Sequence, residues 1–254
     1  MKQLQLLARA LFSRKWWWVT LVVLLLMAVF LRLSVWQMAR LQERRTANAL
    51  LEQALAAPPL PLTAVSLPAN PQSLENYNVL VSGSYDFDNQ VALIVQNWNG
   101  QAGIHLIAPL VAADGQTAVL IDRGWIPDSQ ADPSAWSQYD QPGPITIAGY
   151  VALSQTISRL GENAIPDTAQ QQWYRVDVAA IQAQMPYTLL PVYVIESPPE
   201  SGDTGLPYHT AREVDLSEGP HLSYAIQWIF FALLLGGGYL IYVNKSLAQK
   251  PSST

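Results

Sequence analysis

The chain has 254 residues, a formal net charge of −5 and a hydrophobic fraction of 50%, and its 13% of charged residues is well below the roughly 25% of an ordinary soluble domain. With no cysteine there is no disulfide, thiolate metal site, thiol nucleophile or covalent haem attachment, and the four scattered methionines, Met1, Met27, Met38 and Met185, argue against a copper shuttle. Between Thr46 and His221 the only cations are Arg123, Arg159, Arg175 and Arg212 against many carboxylates, an acidic balance that argues against nucleic acid as a partner.

Residues 1–15 form a short basic arm with Lys2, Arg9, Arg14 and Lys15. Trp16-Trp17-Trp18 then opens an apolar run that reaches Leu31, and residues 16–35 read as a first transmembrane helix. A signal peptide has a shorter apolar core and a small-residue cleavage site. Here Arg32, Trp36, Gln37 and Arg40 follow instead, so a retained anchor is expected, with Arg32 snorkelling to the interface. Over 36–57 the helix is expected to continue beyond the membrane. Leu41, Leu50, Leu51 and Leu55 alternate with polar residues there, and no breaker intervenes before Pro58-Pro59. The proline-rich stretch 58–71 reads as an extended connector.

The region 58–219 as a whole reads as one β-rich domain. Strands are expected over 78–87, 91–98, 103–111, 118–125, 145–153, 173–178 and 191–195, all β-branched or aromatic runs separated by Asn, Asp, Gly and Pro. Asp114-Gly115 between two such runs is a hairpin signal. Short helices are expected at 133–139 and 178–185. His105 alternates with apolar neighbours in its strand and is expected to face solvent or pack singly. His209 falls in an acidic loop rich in glycine and proline.

Residues 220–243 read as a second transmembrane helix. From Leu222 to Val243 nothing is charged, and Tyr224, Trp228, Tyr239 and Tyr242 lie near the two ends, where amphipathic rings prefer to sit. Glu213, Asp215 and Glu218 precede it while Lys245 and Lys250 follow, which places both termini, including the tail 244–254, in the cytoplasm. The expected architecture is a membrane protein with two transmembrane α-helices flanking a predominantly antiparallel β (α+β) extracytoplasmic domain.

Three constellations stand out. His221, with Tyr224, Gln227 and Trp228 after it, is either an imidazole offered at the bilayer interface to a haem iron or simply the start of a helix with belt aromatics. Trp36, Gln37 and Arg40 are either holders of acidic groups such as haem propionates or a belt tryptophan and a helix-end cation. Arg123-Gly124-Trp125 reads as a fold motif: a buried Arg123–Asp pair, a glycine that needs positive φ, and a core tryptophan. The three histidines show no metal-ligand spacing, and no phosphate loop, nucleophile elbow or zinc-protease helix is present.

VWQMARLQERR (35–45), GIHLIAPLVAADGQTAVLIDRGWIP (103–127), WYRVDVAAI (173–181), LPVYVI (190–195) and PHLSYAIQWIFFA (220–232) follow one another in this order. In this the chain resembles the Surfeit locus protein 1 (Shy) family of cytochrome c oxidase biogenesis factors over nearly its whole length. The resemblance implies an assembly factor of the bacterial inner membrane with its main domain in the periplasm. It also implies binding of haem a and delivery to cytochrome c oxidase subunit I, with haem a synthase as a further partner and lipid around the spans. His221 is then the axial ligand of the haem iron, through Nε2 or Nδ1. Tyr224, Gln227, Trp228, Trp36, Gln37 and Arg40 complete the cofactor site. Two departures from the family pattern are Ser34-Val35, where a glycine often precedes Trp-Gln, and His105 with Ala108, which receive no role. The Ser34-Val35 change is expected to alter how closely the two helices pack.

Two functions therefore compete: a haem a carrier that breaks no bond of its cargo, and a cofactor-free membrane scaffold that stabilises oxidase subunits. The scaffold draws on the acidic domain as a docking face for basic partners. A haem-synthesis accessory enzyme lacks any acid–base pair to carry it.

Overall fold

The computed structural model describes residues 2–62, 68, 70–155, 168–199 and 205–248, with side chains from Gln5 onward. Arg159, Lys250 and the middle of the expected connector lie outside the described residues. The helices are α1 (Lys2–Leu11), α2 (Trp17–Ala56), α3 (Val178–Gln182) and α4 (His221–Ala248). The strands are β1 (Leu60–Pro61), β2 (Asn78–Tyr85), β3 (Val91–Trp98), β4 (Gln101–Val111), β5 (Thr117–Pro127), β6 (Pro144–Leu153), β7 (Gln172–Trp173) and β8 (Thr188–Glu196). The chain divides into two units, residues 1–50 with 215–254, and residues 51–214.

In the helical unit, α2 and α4 are both long and apolar enough to cross a membrane, with mean hydropathies of 2.4 and 1.8 in their most apolar stretches. Leu21, Leu24, Leu25, Phe230, Leu233 and Leu234 stand exposed on them. A helix that is apolar on its outward faces too needs hydrocarbon as solvent, so this is a membrane protein. At ~1.5 Å per residue the 40 residues of α2 run to about 60 Å, twice the bilayer core, so the helix extends well beyond it. It ends at Ala56, where Pro58-Pro59 withdraw the donors and conformation a helix needs. The basic arm contains a helix of its own, α1, which the sequence reading did not assign.

The two long helices run antiparallel along a seam of residues three and four apart. On α2 the seam is Thr20, Val23, Met27, Phe30, Ser34, Gln37 and Leu41. On α4 it is His221, Ala225, Trp228, Ala232, Gly236 and Tyr239. Tyr239 Oη lies 2.6 Å from Thr20 Oγ1, Trp228 stacks on Phe30 at 5.6 Å, and Ser34 Oγ donates to the Ala225 carbonyl at 3.0 Å. Ala225 and Ala232 are buried, and a side chain on Gly236 would meet Met27, so small residues bring the backbones together.

In the second unit the strands form one sheet ordered β1-β2-β6-β8-β5-β4-β3-β7, and a further β2–β4 pairing closes β2, β6, β8, β5 and β4 into a ring. Alternate residues point inward, as a period of two requires: Val79 and Val81, Ala108 and Leu110, Val119 and Ile121, Ile147 and Val151, Val192 and Val194 make the ring's core. On the opposite face Ile107, Leu120 and Tyr193 pack under Val178 and Ile181 of α3. The expected hairpin is present: Gly115 takes φ +68°, and Asp114 accepts from the backbone N–H groups of Gln116 and Thr117. Most pairings are antiparallel, but β5–β8 in the ring is parallel, as are β1–β2 and β3–β7.

Three expectations change. The run 173–178 supplies only the end of the two-residue β7 before Asp177 caps α3. His105 neither faces solvent nor packs singly: its Nδ1 lies 2.9 Å from both carboxylate oxygens of Asp122, and Asp122 also accepts from Gly124 N–H. Among the described residues Arg123 has no hydrogen-bonded Asp partner. It donates to Gln90 Oε1 at 2.8 Å and to the Tyr139 carbonyl, and lies over the rings of Tyr85 and Phe87 at 4.8 and 4.9 Å. Asp122 and Arg123 are adjacent in a strand and face opposite ways, so the carboxylate goes to His105 and the guanidinium to the far side.

Candidate functional site

The outer half of α2 carries the side chains that fix where α4 begins. Arg45 grips Glu218 with two bonds, Nε to Oε1 at 2.7 Å and Nη2 to Oε2 at 2.9 Å, and Asn48 donates to the Leu216 carbonyl at 2.6 Å. The bond from Arg45 holds the Glu218 carboxyl below the usual carboxylate range. Gly219 then turns the chain with φ +66°, a left-handed conformation that favours glycine, and Pro220 leads into the helix. The segment 216–220 is thereby laid along α2 and delivers His221 to the seam.

There His221 Nδ1 lies 2.8 Å from Gln37 Oε1. A carbonyl oxygen accepts only, so this contact places a proton on Nδ1, and in the neutral ring that leaves the lone pair on Nε2. Nε2 has no hydrogen-bond partner among the described residues, and the ring is half-buried. Beside it stands Gly219: a Cβ built there would lie 3.6 Å from Nε2. The chemistry available is that of a neutral imidazole with one nitrogen tied down and the other offered, the form in which histidine ligates a metal.

Around this ring the expected residues separate into two groups. Gln37 and Trp228 lie in the seam with His221. Gln37 is engaged by the imidazole and so is not free to hold an acidic group, while Trp228 packs against Phe30, with Phe231 edge-on at 5.9 Å. Trp36, Arg40, Tyr224 and Gln227 are exposed. At 100° per residue, Arg40 falls about 60° round from Gln37 and Tyr224 about 60° round from His221, with Trp36 and Gln227 further round. Because the helices run antiparallel, all four come out on the same flank of the pair. Arg40 lies over the Trp36 ring at 5.8 Å and bonds Glu43 Oε2 at 2.7 Å. An exposed pair of that kind is worth little and releases its arginine readily.

Sequence reasoning did not single out Gly219, Phe30 or the role of Ser34 as a bond donor across the seam. A glycine directly before Pro-His, at the expected start of the second span, was the available signal for Gly219. An apolar cleft of about 400 Å³ lies further along the same unit, lined by residues such as Thr20, Val23, Met27, Gly236 and Tyr239 and by none of the candidates. Thr20 and Gln37 are about 25 Å apart along α2.

Arg123, Gly124 and Trp125 serve the fold. Gly124 has φ +107°, and any Cβ on it would meet the Tyr208 carbonyl at 2.7 Å. Trp125 stacks on Tyr208 at 5.9 Å and exchanges two backbone bonds with it, of 2.9 and 2.8 Å. His209 Nε2 lies 3.6 Å from Glu196 Oε2.

The SURF1 family model matches residues 24–233, a span that takes in every candidate residue. The chain is 26% identical over 211 residues to the SURF1-like protein of Monosiga brevicollis, covering 77% of this chain and 76% of that one. It is 29% identical over 229 residues to an uncharacterized SURF1-like protein of Mycobacterium tuberculosis, covering 85% and 79%. To Surfeit locus protein 1 of Homo sapiens it is 23% identical over 237 residues, covering 86% and 74%. None of these three names describes an enzyme.

Proposed function

The chain belongs to the SURF1 family, and from that premise we propose that it is an assembly factor for a haem-copper cytochrome c oxidase that holds haem a as cargo and passes it toward oxidase subunit I. The observation that supports this is the state of His221: Nδ1 is bound to Gln37 and Nε2 is open beside a residue without a side chain. Haem a, when bound, would supply an iron that accepts a nitrogen lone pair, and propionates for cations. His221 gives the lone pair, and Gln37 keeps the ring in place. Arg40 is an exposed cation on the shared flank, free to meet an acidic group once it leaves Glu43. Trp36 and Tyr224 offer ring faces on that flank, and Gln227 a polar edge. No bond of the cargo is made or broken, so the role is transfer and not catalysis, with haem a synthase as the source of the cargo.

The same reading places the protein in a bacterial inner membrane with both termini cytoplasmic and the β unit in the periplasm. Cations flank the first span on both sides, so the support comes from the second: Glu213, Asp215 and Glu218 before α4 and Lys245 at its end.

His221→Ala protein purified from cells that make haem a is expected to lose most of its haem absorbance. Full retention would remove the carrier reading. A cofactor-free scaffold is favoured instead by the charge of residues 46–220, which hold 18 of the 19 carboxylates and four arginines. It would prevail if His221→Ala leaves oxidase assembly intact while substitutions on the acidic surface block it.

A further inference from the structure

Resting on the reading of His221 as the nitrogen that meets iron, we infer that Gln37 and Gly219 are its positioning residues: Gln37 selects the Nδ1–H tautomer, and Gly219 keeps the approach to Nε2 clear. A neutral imidazole has one N–H and one lone pair, and their placement follows from what each nitrogen faces. Nδ1 faces a carbonyl oxygen at 2.8 Å, so the lone pair is on Nε2. An acceptor on the other nitrogen also raises the basicity of the ligating one and locks the ring's rotation.

The ring is half-buried in the seam, so without Gln37 its Nδ1–H would lose its protein acceptor, and nothing would favour that tautomer over the opposite one. That tautomer carries its proton on Nε2 and cannot bind metal there. Gly219 acts on the same nitrogen from the other side. Its left-handed φ of +66° lets the chain enter α4, and its missing side chain leaves vacant the space 3.5 to 3.6 Å from Cδ2 and Nε2. The Arg45–Glu218 grip holds this glycine against α2, and so the ring against Gln37.

The test uses full-length protein in detergent, with ¹⁵N-labelled histidine for NMR and ferric protoporphyrin IX for titration by its Soret absorbance. In wild type the His221 signals, assigned by their loss in His221→Ala, are expected to report the Nδ1–H tautomer without any haem present. Gln37→Leu is expected to shift His221 toward Nε2–H and weaken porphyrin binding by about 10- to 100-fold. Gln37→Glu, which keeps an acceptor, should stay within a few-fold of wild type. An Nε2–H tautomer in wild type, or a Gln37→Leu protein with unchanged tautomer and affinity, overturns the inference while leaving the His221 reading intact. A wild type that takes up no porphyrin, or a His221→Ala protein that takes up as much, overturns the His221 reading itself and the inference with it.

Discussion

Replacing Arg123 with Met tests whether the Arg-Gly-Trp motif belongs to the fold and not to the cargo site. Arg123 is 3% exposed, and burial pulls its guanidinium pKa down from its ordinary value. Methionine fills much of the same volume but donates nothing. Two acceptors lose their donor, the buried Gln90 Oε1 and the half-buried Tyr139 carbonyl, at roughly 1–3 kcal/mol for the first and about 1 for the second. The cation also leaves the faces of Tyr85 and Phe87, about 0.5–2 kcal/mol each, and relief of its own desolvation offsets part of the total. A net loss of about 3–5 kcal/mol remains, which for a domain of this size lowers Tm by about 6–20 °C. The assay is thermal unfolding of the detergent-solubilised protein followed by near-ultraviolet circular dichroism, where the stacked Trp98, Trp125 and Tyr208 give the signal. Porphyrin uptake per folded molecule should match wild type. A Tm unchanged within 2–3 °C, about 1 kcal/mol, would refute the structural role. Lost uptake by folded protein would refute the separation of motif from site.

The seam and the alkaline limit give two further tests. Ser34→Leu inserts a large side chain opposite the buried Ala225 and removes the bond to its carbonyl; engineered cross-links between α2 and α4 should form at least several-fold more slowly, and wild-type rates would count against small-residue packing there. Burial pushes the Tyr193 phenol up to about 12, helped by the Asp122 charge, and raises Tyr85 and Tyr187 as well. A folded-state pKa above the unfolded value of about 10 means that the stabilisation is whole below pH ~10 and is lost as pH rises toward ~12, about 3 kcal/mol for Tyr193. Tyr193→Phe should flatten the fall in Tm over that window; an identical slope would show that this phenol does not titrate with unfolding.

Apolar length gave the two spans, Pro58-Pro59 the end of α2, and Asp114-Gly115 the β4–β5 hairpin, because each is written in consecutive residues. The site was legible only in part: His221 and Gln37 were both singled out, but as holders of separate parts of a cofactor. They are 184 positions apart and meet only because an antiparallel seam registers one helix against the other. The same holds for His105, whose alternation suggested solvent and whose partner Asp122 comes from the neighbouring strand, and for the parallel β5–β8 pair.

What the sequence by itself determined, then, is what depends on local period and length: spans, turns, most strand runs and the family motifs. Only the tertiary structure decided which nitrogen of His221 is tied, that Arg123 lies between aromatic rings and uncharged acceptors, and that Gly219 leaves a gap beside the imidazole. Such contacts are set by register between distant segments, and helical or strand periodicity names a face without naming what lies across from it.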